Sequence, residues 1–265
     1  VNAKNIAVAA NSAEEIYTIT ANVSVGGGAG IGGAVGVNTV SNQTLAGVSA
    51  GAVINATGDL SVTADENTDL SINTLSGAGG TVGISGAVSA GVITNRTKAY
   101  VEGADAPAEA STINASGTTE ISANSTEDIS TMTVSGAGGG LAGVAGAISV
   151  KVVKAETTAS IGKNTKVNQD NSYAKAGQNV IVDALDNVIL SGKGGSGSIA
   201  GIAGVGASAD IDIVRNTVTA SIGDSAQVYA QGDIKVSAEN IKNISSETIA
   251  ASGGLSLGIG GAVSL

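Results

Sequence analysis

A box of small apolar residues recurs five times along the chain: IGGAVGV (31–37), ISGAVSA (84–90), VAGAISV (144–150), GVGASAD (204–210) and IGGAVSL (259–265). Aligned on Gly33, Gly86, Gly146, Gly206 and Gly261, the copies lie 53, 60, 60 and 55 residues apart. A second landmark is a turn leading into a strand: GDLSVTA (58–64), GTTEISA (117–123), GQNVIVDA (177–184) and GDIKVSA (232–238). Its glycines, Gly58, Gly117, Gly177 and Gly232, are spaced by 59, 60 and 55. A third follows the box: NQTLAGV (42–48), NRTKAYV (95–101), ETTASIG (156–162) and NTVTASIG (216–223). Three landmarks in one order at nearly one period mark a repeat architecture, in which stacked units bury a core that no single unit can.

The organisation is one continuous array, residues 1–265, of about four and a half units of 53–60 residues. The chain starts at Val1, and NIAVAA (5–10) matches the strand after a GD turn; it stops at Leu265 inside a fifth box. A fragment of a longer array is expected.

Within a unit the apolar period is two. LSVTA (60–64), NVIVDA (179–184), ADIDIV (209–214) and IKVSA (234–238) alternate apolar with polar, as half-buried strands do. Gly, Asn, Asp and Ser interrupt every few residues, which is turn chemistry. No helical stripe is sustained, and each of the 40 glycines would weaken a helix by about 1 kcal/mol against Ala. The expected fold is all-β, a parallel β-helix (β-solenoid) forming a single elongated rod. Dividing a unit by three predicts coils of roughly 18–20 residues, about 14 of them, and a rod on the order of 65 Å long. Val, Ile, Leu and Ala are expected to fill the interior. The Gly-Ala boxes are expected to flatten the coil, so that opposing sheets approach closer than the usual ~10 Å.

Composition removes most chemistry. There is no His, Cys, Phe or Trp, one Pro (Pro107) and one Met (Met132). His-based triads, thiol nucleophiles, structural zinc and haem or iron–sulfur ligation are excluded. No catalytic, cofactor-binding or metal-ligating residue is assigned and no cofactor is expected; four scattered Tyr offer no sugar platform, so an enzyme is not expected. Twelve basic against 22 acidic residues give a net charge of −10, which argues against nucleic acid and against anionic lipid.

Residues 23–40 are uncharged and contain Gly28-x-x-x-Gly32 and Gly32-x-x-x-Gly36, a lipid helix-pairing spacing, but the run is Gly-rich and short for a span. No GxxxxGK[ST] loop is present, and GGSGSIAGI (194–202) lacks the Asp of a calcium β-roll. Asp210 and Asp212 share one strand face and read as solvated. N-x-[ST] sequons occur at Asn22, Asn42, Asn55, Asn95, Asn114, Asn124 and Asn243, as glycosylation acceptors or as a polar ladder on turns. The TxT triplets at 18–20, 131–133 and 217–219 fall at different places in the repeat, so no flat ice-binding array is expected.

GLAGVAGAISVKVV (140–153) and the run from Ser198 to Asn240 resemble repeats of large secreted fusobacterial surface proteins, the leukotoxin and its filamentous-adhesin relatives. The resemblance covers nearly the whole chain. It implies a right-handed parallel β-helix shaft on the outside of a Gram-negative bacterium, exported through an outer-membrane secretion partner. Host-cell attachment follows as the expected role, with the receptor unspecified; a membrane-active cytotoxic segment is the alternative. End-to-end self-association is expected from open strand edges. Loops such as EGADAPAEASTINASG (102–117) are where binding is expected.

Overall fold

The computed structural model describes residues 1–265. The chain runs through β1 (Asn2–Ala3), β2 (Ile6–Val25), β3 (Ala29–Val48), β4 (Val53–Ala56), β5 (Leu60–Val101), β6 (Thr112–Ala115), β7 (Thr119–Ile161), β8 (Lys166–Val167), β9 (Val180–Ala200), β10 (Ala203–Ile222), β11 (Gln227–Val228), β12 (Ile234–Gly254) and β13 (Leu257–Ser264). Two single-turn 3-10 helices, Pro107–Glu109 and Asn171–Tyr173, interrupt loops. The architecture is all-β.

Every pairing is parallel, and each joins the chain to itself one repeat away. On the outgoing run Ile6 pairs with Leu60, Leu60 with Thr119, Thr119 with Val180 and Val180 with Ile234. On the return run Ala29 pairs with Val82, Val82 with Ala142, Ala142 with Ala203 and Ala203 with Leu257. The short strands β1, β4, β6, β8 and β11 stack as a separate sheet. One repeat is therefore one pass: a short strand, a corner, a long outgoing run, a narrow tip and a long return.

This corrects the coil size. Runs of about 20 residues, each about 66 Å long, replace coils of 18–20 residues, and the stack is only about 20 Å tall at ~4.8 Å per pass. The Gly, Asn and Ser that looked like corners lie inside straight strands. Parallel neighbours above and below satisfy the backbone groups of any residue, glycine included, so these residues do not end a strand.

Two landmark alignments shift by one residue. Ala207, not Gly206, lies in register with Gly146 and Gly261. Gln178, not Gly177, takes the place of Gly117 and accepts from the Gly232 N–H through its carbonyl. Gly177 sits in the preceding loop with φ of 84°. Repeat length varies because two loops are expanded, 102–111 and 168–179.

The inward face changes character along each run. Near the short strands, Leu60, Val62, Ile113, Ile121, Val167 and Val182 form a dry core. Farther along, Leu70, Ile72, Ile93, Ile129, Val153 and Leu190 form a second. At the tip the inward residues are Gly30, Gly83, Gly143, Gly204 and Gly258, in register. A Cβ on Gly83 would lie 2.4 Å from the Gly138 carbonyl oxygen, and one on Gly204 would lie 2.5 Å from that of Gly253. The opposing backbones are in contact, closer than ordinary sheet stacking. The Val and Ile of the boxes point outward instead: Ile31 is 69% and Val35 63% exposed. The expected Val/Ile/Leu interior thus holds for the two cores and not for the tip, where side chains do not fit between the sheets.

Corners carry a side-chain ladder. Asn5 Oδ1 accepts from Asp59 N (3.0 Å), Asp59 Oδ1 from Thr118 N (2.8 Å) and Asn179 Oδ1 from Asp233 N (2.8 Å).

The two glycine columns make opposite predictions. Gly83→Ala is expected to destabilise by about 1–3 kcal/mol through overpacking. Gly86→Ala, whose Cβ meets nothing within 4 Å, is expected to stay within about 0.5 kcal/mol. Thermal unfolding of the two variants side by side checks this; equal loss would contradict the close-sheet geometry.

Candidate functional site

Between the two dry cores runs a seam of inward polar side chains. Glu66 and Thr68 come from the outgoing part of β5, Asn95 and Thr97 from its return, Ser125 and Glu127 from β7, Asp186 from β9 and Asn216 from β10. The same two-residue period that aims Leu60 and Leu70 inward aims these residues inward too. Glu127 Oε1 accepts from Asn95 Nδ2 (3.2 Å) and Ser125 Oγ (2.5 Å). Asn42 Nδ2 donates to Glu14 (2.6 Å), and Asn216 Nδ2 to Asp186 (2.6 Å).

Carboxyls dominate the seam. Burial pushes Glu127 up to about 8, helped by the charges of Asp186 and Glu66 against the hydrogen bonds from Ser125 and Asn95. Burial likewise raises Glu66 and Asp186, while hydroxyl and amide donors pull them back. Glu127 has no solvent-exposed surface, so a substrate in bulk solvent does not reach it. The seam's chemistry is proton binding within the wall.

A second inward cluster lies nearer the tip. Lys151 stands in register with Asp212, two residues from Asp210. Its Nζ lies 2.5 Å from Asp210 Oδ1 and 2.9 Å from Asp212 Oδ1, with both the lysine and Asp210 side chains fully buried. This corrects the reading of Asp210 and Asp212 as a solvated pair. The signal that could have placed them was the strand parity: Gly204, Gly206 and Ser208 precede them on the inward face.

The sequons are largely structural. Asn95 and Asn114 are buried, at 3% and 5% exposure, and cannot carry a glycan in the folded chain. Asn114 Nδ2 donates to Asn55 Oδ1 (3.0 Å), and Asn55 Nδ2 to Asn2 Oδ1 (2.9 Å), a ladder along the short strands. The TxT triplets fall on different faces: Thr131 and Thr133 are buried, whereas Thr217 and Thr219 are exposed.

Outward features are shallow. Over the tip, Val88, Ile148, Ala209 and Val263 stand beside a floor that includes Gly86, Gly146 and Gly261, outlining an apolar trough of about 520 Å³. Arg96, Lys154 and Arg215 ring a polar cleft of about 310 Å³, with Glu156 3.6 Å from Arg96. In loop 102–117, Asp105 pairs with Lys163 of the next pass, which holds the Asp105 carboxyl below its usual range. Asn164 Nδ2 donates to the Ala104 carbonyl (2.8 Å) and pins the loop to the next pass. That loop gathers no catalytic constellation.

No group of three or more His, Cys, Asp or Glu is arranged to hold a metal ion, and no helix is long and apolar enough to cross a membrane. The chain matches no known family model, no curated protein and no solved structure.

The Glu127 environment has a definite pH consequence. Its folded-state value, about 8, exceeds the ordinary 4.5, so the folded chain binds the proton more tightly. Stability is then highest below the ordinary value and falls as pH rises from about 4.5 to 8, by up to about 1.4 kcal/mol per unit. Glu127→Gln is expected to flatten that slope and to raise stability at pH 8. Denaturant midpoints at pH 5 and pH 8 measure it; an unchanged slope would refute the assignment.

Proposed function

We propose that this chain is a segment of a right-handed parallel β-solenoid. It forms part of the shaft of a secreted bacterial surface protein of the leukotoxin or filamentous-adhesin kind and serves host-cell attachment. The observation that carries the reading is the register: the chain returns to pair with itself every 53 to 61 residues, through all five passes. Such stacking sums stability along an axis and makes an extended surface. The net charge of −10 keeps such shafts soluble and mutually repelling. An outer-membrane secretion partner acts on the parent protein, and the role is non-enzymatic. The coil hand and the bacterial surface location come from the sequence resemblance.

The first and last passes, β2–β3 and β12–β13, each pair on one side only. Open parallel edges of this length template further pairing, which supports end-to-end association. Sedimentation is expected to show concentration-dependent oligomers; monomer alone at high concentration would contradict it.

Labelled chain is expected to bind leukocytes and epithelial cells saturably, with a membrane-integrity dye excluded. Absence of binding would reduce the segment to a spacer. The second reading, a membrane-active segment, is favoured by one observation: the tip is free of charge from Val23 to Val37 and from Leu75 to Ala90, with Val23, Val25, Ile31 and Val35 exposed. Dye release from liposomes would select that reading over attachment.

A further inference from the structure

Lys151 is fully buried between two carboxylates, and neither the stacking nor the proposed surface role requires it. A buried ion pair alone is weak support for a fold, because desolvation offsets most of the attraction. Here the mismatch is larger. One lysine faces two acids, and Asp212 has no partner apart from the 2.9 Å contact of its Oδ1 with Lys151 Nζ. A residual negative charge in a dry wall is costly.

The surroundings are shaped for a reaction. Nζ lies 2.5 Å from Asp210 Oδ1, so Nζ and the Asp210 carboxyl carbon are within about 3.7 Å, one carbonyl bond farther, near an attack distance. Thr131 Oγ accepts from Nζ at 3.3 Å and orients the amine. The Ser246 hydroxyl donates to Asp210 Oδ2, on the oxygen where charge develops when a nucleophile adds. Gly192 faces the pair: a Cβ there would lie 2.3 Å from Nζ and 2.6 Å from the Asp210 carboxyl carbon. Only glycine leaves that space free.

We propose that Lys151 and Asp210 form an intramolecular isopeptide bond, with Asp212 carrying the proton. The lysine ammonium gives a proton to Asp212, whose Oδ1 is 2.9 Å away. The neutral amine adds to the Asp210 carboxyl carbon, and its N–C bond forms. One Asp210 C–O bond breaks, and the oxygen leaves as water with two of the three ammonium protons, one of them returned by Asp212. Ammonium and carboxylate become one amide and one water, with no oxidant, reductant or other reactant. Burial raises the Asp212 carboxyl, against the pull of Lys151, and so suits it to hold a proton in the wall. The buried charges of Lys151 and Asp210 disappear together, and Asp212 ends in the charge state in which it began. The bond would staple successive passes of the chain, 59 residues apart, which otherwise have no covalent link between them beyond the chain itself.

Intact mass of the folded chain, read after full denaturation, tests this independently of any cell-binding role. The expected result is a mass one water below that of the sequence, with a protease digest yielding a branched peptide joining Lys151 to Asp210. Asp210→Asn is expected to reach the same final mass by losing ammonia. Lys151→Arg is expected to keep its full mass. Asp212→Asn, checked for folding by circular dichroism, is expected to keep its full mass or cross-link at least tenfold more slowly. A wild-type chain at full mass after prolonged folding would overturn the proposal. So would a water loss that maps to an aspartimide rather than a branched peptide.

Discussion

The parallel backbone register between successive passes of one chain is the constraint on which everything else depends. Each pass hydrogen-bonds to the one before and the one after, so every inward or outward position becomes a column running through the stack. A residue's environment is set by its own strand parity and by its column mates. Gly30, Gly83, Gly143, Gly204 and Gly258 act as one structural element although 53 to 61 residues separate neighbours. Column order also explains the thin tip. Where an inward column is all glycine, the facing backbones meet, and the β-branched residues beside it are left outside.

The same register forces polar groups into the wall. A strand 20 residues long cannot change face midway without a bulge, so Glu66, Glu127 and Asp186 stay inward once the parity is set by Leu60, Ile121 and Val182. The wall accommodates them by stacking donors around them and by keeping Glu127 protonated near neutrality. Lys151, Asp210 and Asp212 face the same difficulty closer to the tip, where a covalent bond in place of two charges is the more economical arrangement.

The outer surface divides into zones. Uncharged apolar columns cover both faces of the tip, while Arg96, Lys154 and Arg215 gather on the return run. The expanded loops at 102–111 and 168–179 project where the short-strand sheet turns. A surface so ordered along one axis suits repeated weak contacts better than a single pocket.

The repeat and the strand period were legible in the residues, because recurrence needs no knowledge of contacts. The close approach of sheets at the Gly-Ala boxes was legible too, since residues without side chains leave no other spacer. The size of a pass was not. Gly, Asn and Ser read as corners wherever a strand is considered alone, and only pairing on both sides shows that the chain continues straight through them. Burial of Asp210 and Asp212 was equally out of reach without parity carried from Gly204. The offset at Gly177 needed the extra loop residue that shifts Gln178 into register. The amino-acid order by itself determined that this chain is a repeated, parity-patterned β structure. The tertiary structure decided which column each residue joins, because a column is made of residues from separate passes and no local pattern contains it.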